Sequence, residues 1–278
     1  MQKKMQKRAA TFMLAFALAL VICGAAAAED PLSTPTTSAS LSSSSGNTIL
    51  NNVVAKNGGD GVNVINSKNT QLQNNVVAKN GGDGVNVINS KNTQLQNNVV
   101  AKNGGDGVNV IYSKDTQLQN NVVAGNKGGF NNINSRDTQI QNNAIFGNHD
   151  GVNVIYSKDT QLQNNVVAGN KGGFNNINSR DTQIQNNAIF GNHDGVNVIY
   201  SKDTQLQNNV VAGNKGGFNN INSRDTQIQN NAIFGNHDGV NVIYSKDTQL
   251  QNNVVAGNKG GFNNINSRDT QIQNNVVT

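Results

Sequence analysis

From Asn47 onward the chain alternates short apolar stretches with asparagine, glycine, serine, lysine and aspartate, and it nowhere keeps a helical period. Three β-prone stretches recur in fixed order, as in Thr-Gln-Leu-Gln, Asn-Val-Val-Ala and Gly-Val-Asn-Val-Ile. Within the first two, apolar residues alternate with polar or solvent-tolerant ones, the period of a strand with one buried face. The residues between them are turn formers.

The pattern is one unit written ten times. Counted from its Asn-Asn pair, a unit of 23 residues starts at Asn51, Asn74 and Asn97. From Asn120 the period is 22, with starts at Asn142, Asn164, Asn186, Asn208, Asn230 and Asn252, and Asn274 opens an eleventh. The 44-residue block 120–163 recurs letter for letter as 164–207 and 208–251. Each block holds two alternating coils, NNVVAGNKGGFNNINSRDTQIQ and NNAIFGNHDGVNVIYSKDTQLQ. A leucine-rich repeat of this length needs several leucines per unit, and here there is at most one. A single unit cannot bury its own apolar face, whereas stacked units share a continuous core. The expected fold is all-β: a parallel β-helix, or solenoid, of about ten 22–23-residue coils spaced by ~4.8 Å.

The stretch TQLQNNVVAKNGGDGVNVINSKN resembles the asparagine-rich repeat of right-handed parallel β-helix proteins. That group includes pectate lyases, alginate epimerases, some adhesins and the periplasmic proteins that help load copper into nitrous oxide reductase. The positions that carry the resemblance in the second coil are Leu72, Asn75, Val77, Asn80, Gly84 and Val85. It implies a right-handed coil over residues 47–278; the superfold hosts many activities and implies no single one.

Stacking turns each position into a column. Leu72, Leu95, Leu118, Ile140 and Leu162 should point inward, as should Val77, Val123, Ile145 and Val167, and a third column alternates Phe130, Val152, Phe174 and Val196. Asn132 and Val154 occupy one further column, which admits either an inward Asn or a bulge that brings Ile133 in. The Asn75 and Asn80 columns are expected to form amide ladders that satisfy buried turn backbone. They account for much of an asparagine content of 55, of which 54 follow position 50.

Before the repeats, residues 1–28 read as a signal peptide: a basic start with Lys3, Lys4, Lys7 and Arg8, an apolar run from Ala9 to Cys23, then small residues up to Ala28. Residues 29–46 are Ser/Thr-rich and are expected to be a flexible linker. Export to the cell surface, the periplasm or the medium follows from this reading. The net charge of +5 belongs almost wholly to the first eight residues, since 17 basic residues face 16 acidic ones without them. Nucleic acid is therefore not an expected partner. No apolar run reaches the ~20 residues of a membrane helix. Cys23 is the only cysteine and lies in the apolar run, so neither a disulfide nor a thiolate metal site is expected after cleavage.

Candidate chemistry is periodic too. His149, His193 and His237 recur every 44 residues, two coils or roughly 9.6 Å apart, too far for one metal to bridge. The aspartates from Asp115 to Asp269 form a column, each preceded by Lys or Arg. Catalysis needs one place with a distinct environment, whereas these copies share theirs, so paired charge columns are the expectation. Gly58–Ile65 resembles a calcium-binding nonapeptide but recurs once per coil rather than every nine residues. No catalytic residue, metal or cofactor is expected. The outward faces are the candidate ligand surfaces: Gln139, Gln141, Gln161 and Gln163 on one strand face, and an exposed row of Phe146, Phe190 and Phe234 on the next.

The expected function is that of a secreted, non-enzymatic structural or adhesive rod presenting periodic faces to polysaccharide, to extracellular matrix or to copies of itself. A polysaccharide-active lyase or epimerase is the alternative that the resemblance implies. Ice binding is a third, because NNVVAGN resembles the repeat of grass ice-recrystallisation inhibitors. The repeated edges, with no amphipathic cap read at either end, give an expectation of end-to-end association.

Overall fold

In a computed structural model, residues 38–278 are described; the expected signal peptide and most of the expected linker, residues 1–37, lie outside them. The chain winds through three parallel sheets of eleven strands each, and no helix occurs among the described residues. The first sheet runs from Ala39–Ser42 to Gly260–Ile265, the second from Thr48–Leu50 to Gln271–Gln273, and the third from Val53–Ala55 to Val276–Val277. Each strand pairs with its copy one coil away, column on column: Leu118 with Ile140, Val123 with Ile145, Phe130 with Val152. A parallel β-helix results.

The solenoid begins earlier than composition suggests. Ala39–Ser42 pairs with Val62–Ile65 inside the stretch expected to be linker. Ala39 and Leu41 pack on the core while the serines between them turn outward. Two inward apolar side chains suffice because the neighbouring coil supplies the rest of the ladder.

The three expected apolar columns make one continuous core, in which Leu118, Ile140, Ile145, Phe130 and Val152 are all at most 1 % exposed. Phe and Val alternate in the first sheet, so each large ring stacks on small neighbours, as close packing of a fixed volume requires. From the fourth coil the turn entering this sheet loses a residue, and the strand grows from four residues (Val108–Ile111) to six (Gly128–Ile133). Glycine is compulsory along that stretch: a Cβ on Gly151 would lie 2.3 Å from the Gly173 carbonyl.

Both asparagine ladders are present and buried. In one, Asn165 Nδ2 donates to Asn187 Oδ1 and to the Ile140 carbonyl, while its Oδ1 accepts both the backbone N–H and Nδ2 of Asn143. The Asn170 column repeats the scheme. All four capacities of each amide are thereby used in a place where water cannot reach. A third ladder is of serine: Ser157 Oγ donates toward the Ile155 and Asn132 carbonyls and accepts the Ser135 N–H. A fourth runs outside on the first sheet, where Asn153 Nδ2 donates to Asn131 Oδ1 and Asn175 Nδ2 to Asn153 Oδ1. Its amide-to-amide bonds run toward the N-terminus, whereas the amide-to-amide bonds of the inner ladders run toward the C-terminus.

The ambiguous column resolves as an inward Asn. Asn132, Asn176 and Asn220 are at most 1 % exposed. Thr138 Oγ1 donates to Asn132 Oδ1, and Asn132 Nδ2 donates to Thr160 Oγ1, each at 3.0 Å. One amide thus serves the hydroxyls of two coils.

Candidate functional site

The site is built at the corner between the first and second sheets, where the sequence Ile-Tyr-Ser-Lys-Asp-Thr-Gln turns the chain. Ser157 and Thr160 point inward and are buried, so Tyr156, Lys158, Asp159 and Gln161 are left on the outside. Lys or Arg bridges to Lys or Arg from coil to coil without interruption, as from Arg136 through Lys158 to Arg180. The rod therefore carries four parallel outer rows along one corner: Tyr alternating with Asn, Lys alternating with Arg, then Asp, then Gln.

The expected pairing of charge columns is seen. Lys158 Nζ lies 3.6 Å from Asp159 and 4.0 Å from Asp181, and Lys202 and Lys246 repeat the first of these contacts. These pairs are well exposed and add little stability. Among the described residues none of the ion pairs involves an arginine, so alternate coils present a guanidinium that no carboxylate occupies.

Gln161 is exposed, and Gln139, Gln141 and Gln163 are half-buried. In the first coils the row walls a shallow polar groove between Gln71, Gln94 and Gln117 on one side and Asn69, Asn92 and Asp115 on the other. The phenylalanine row departs from expectation. Phe146 is buried, Phe190 is half-buried and only Phe234 is exposed, at 39 %. Phe146 packs in an outer apolar cluster with Ala124, Val166 and Ala168, against which Phe190 also lies. All three rings stand between alanines, which leave room for a ring to lie down on the sheet, and Phe146 uses that room most fully.

The repeated threonines are fully buried from Thr70 to Thr248, so they form no outer row. The histidines are exposed, each against the next aspartate, with His193 Nδ1 2.9 Å from Asp194 Oδ1 and Nε2 3.3 Å from Lys215 Nζ. Lysine occupies the column between successive histidines. Among the described residues no group of three or more His, Cys, Asp or Glu side chains converges. Asp106 is half-buried; loss of solvent and the neighbouring Asp83 push its carboxyl above the ordinary 3.8, against the donors of Gly128 and Asn131.

Tyrosine was the signal missed in the sequence. Tyr112, Tyr156, Tyr200 and Tyr244 are 59–64 % exposed. All four sit at φ near +50°, as do Asn134, Asn178 and Asn222 in the alternate coils. Left-handed backbone suits asparagine but costs a bulky residue about 1 kcal/mol. Comparing the column rather than the single coil exposes the substitution.

The geometry has known counterparts. The A-module of the mannuronan C-5 epimerase AlgE6 from Azotobacter vinelandii superposes with a TM-score of 0.62 at 17 % identity, over 87 % of this chain and 79 % of that one. The periplasmic alginate epimerase AlgG gives 0.54 at 12 % identity, over 79 % and 76 %. A DFA-IIIase from Arthrobacter chlorophenolicus A6 gives 0.51 at 11 %, over 69 % and 56 %. Such identities show a shared fold and no more. No curated protein matches in sequence. Residues 35–145 match the model of the right-handed β-helix region, which fixes the hand of the coil. Residues 126–278, more than half of the chain, match the model described as periplasmic copper-binding protein (NosD), and the chain belongs to that family.

Proposed function

We propose that the protein is a non-enzymatic adhesive or structural rod, acting outside the cytoplasm, whose periodic corner engages a repetitive polysaccharide. One observation carries the reading: the outer rows recur identically through three blocks, so every candidate group has copies in the same surroundings. A reaction centre needs one group set apart from its copies, whereas a repeated surface gains by repetition. Epimerases of mannuronan and alginate share the fold, and the family description names the periplasm. The Gln rows and Phe234 belong to the proposed surface, and end-to-end association of copies is part of the same proposal.

The copper in the family's description does not suit the donors described here. Cysteine and methionine are confined to residues 1–23, so the soft ligands that select copper(I) are missing from residues 38–278. The histidines stand two coils apart with a lysine between, and no step is assigned to a metal. The ice-binding alternative gains no support from the threonines, which are buried and offer no outer row.

Deletion of residues 164–207 is the test. The ladders rejoin in register, so the variant should fold and bind polysaccharide more weakly in proportion to its lost block. Complete loss of activity with β structure intact would establish a unique site instead.

A further inference from the structure

We infer that the tyrosine ridge and the unpaired arginines form a binding site for an extended, β-1,4-linked polyuronate chain laid along the rod. The inference rests on the adhesive reading above and assigns its ligand class. Four observations lead to it.

First, the tyrosines are exposed although their backbone conformation favours the Asn found in the alternate coils. Structure therefore does not ask for Tyr there, and a flat ring that is both solvent-exposed and apolar is a stacking platform for a sugar. Second, the spacing is two coils, about 9.6 Å. Along an extended β-1,4-linked chain successive rings are turned over, so the same ring face recurs once per disaccharide, a repeat of closely similar length. Third, an arginine lies in the coil on each side of the Tyr156, Tyr200 and Tyr244 coils, and on one side of the Tyr112 coil, whose other neighbour carries Lys91. Arg136 and Arg180 flank the coil of Tyr156, and both bridge to Lys158 two residues along from it. The guanidinium fork matches a carboxylate bidentately, and one carboxylate per disaccharide faces the protein when the rings alternate. Fourth, the lysines are already engaged by aspartates. Two coils of the corner carry one Lys, one Arg and two Asp and are net neutral. The guanidinium outside the ion pairs is one cation per disaccharide, which matches the one carboxylate that faces the protein and not a densely sulfated polymer.

The expected contact is one ring face on each of Tyr112, Tyr156, Tyr200 and Tyr244, with carboxylates on the intervening arginines and hydroxyls toward Gln161 and its copies. Since each subsite is weak alone, affinity should climb with oligomer length until the ridge is spanned.

The test uses the whole chain and oligomers of polymannuronate, with a neutral β-1,4-glucan and a polyguluronate of shorter repeat as comparisons, followed by calorimetry. Polymannuronate should bind best, and the Tyr156→Asn, Tyr200→Asn, Tyr244→Asn triple variant should bind it about tenfold or more weakly. Its melting temperature should stay level or rise, because Asn is at home in that conformation; an aromatic with a purely structural role would give the opposite. An Arg136→Gln, Arg180→Gln, Arg224→Gln variant should lose the preference over the neutral glucan. If the wild type binds some polysaccharide and the tyrosine variant binds it equally, the ridge is not the site although the adhesive reading stands. If the wild type binds none, both fall.

Discussion

The first three complete coils and the 44-residue blocks that follow solve the same packing problem with different success. In the first region the coils are alike except at Tyr112 and Asp115, so most awkward groups meet their own copy one coil away. Asp83 lies beside Asp106 and helps to raise its pKa. Thr70, Thr93 and Thr116 keep buried hydroxyls without a partner. Lys56, Lys79 and Lys102 occupy backbone at φ near +60°. In the blocks two coil types alternate, and each difficulty is either spaced out or, for the positive φ, met by glycine in every coil. Asp150 and Asp194 are separated by Gly172, Asn132 and Asn176 serve threonines in pairs, and Gly147 and Gly169 take the positive φ. A period of two coils lets a bulky, charged or hydrogen-bonding side chain have an unlike neighbour on each side. A period of one cannot.

The amide ladders are common to both regions, and breaking one should cost most. Asn165→Ala strands the Asn143 N–H and a hydrogen of Asn143 Nδ2 in the interior, and a loss of about 3 kcal/mol is expected in urea unfolding. Asn153→Ala, in the half-buried outer ladder, should cost under about 1 kcal/mol. Equal losses would mean that the outer ladder is as essential as the inner.

Threonine gives a sharper contrast, since one substitution should have opposite signs in the two regions. Thr93→Val removes an orphaned hydroxyl and should stabilise by about 1 kcal/mol. Thr182→Val removes the donor to Asn176 Oδ1 and should destabilise by about 1–2 kcal/mol. Thermal melts of the two variants decide it, and a shared sign would dissolve the distinction.

Backbone strain is the next level down. Lys79→Gly should gain a few tenths to about 1 kcal/mol, and Gly169→Lys should lose about as much, because the cost follows φ and nothing crowds the Gly169 position. The smallest effect concerns Asp106. Its raised pKa means that its contribution favours folding on the acid side and is lost as pH rises through the folded-state value. A carbon-detected titration should find a midpoint above 3.8 that moves downward in Asp83→Asn.

Much of this architecture is legible in the sequence because stacking reduces three dimensions to columns. Leu72, Val77 and Asn75 declare their direction by recurring. What escaped depends on neighbours that lie a coil apart. Ser157 looks like a surface turn residue until the carbonyl of Asn132 is placed above it. Residues 39–42 look like linker because a strand beside a finished coil needs few apolar residues of its own. Phe146 needed its alanine neighbours, and Tyr156 its asparagine ones, before either could be placed.

The opposite senses of the amide ladders have an electrical consequence. Aligned amides polarise one another, and a column of them behaves as a row of dipoles whose effect accumulates along its length. The two inner ladders add in one direction. The outer ladder returns in the other, its sense pinned where Asn109 and Asn131 donate to Asp83 and Asp106. Their opposition leaves a smaller net charge at each end of the rod than two inner ladders alone would place there, whatever the number of coils.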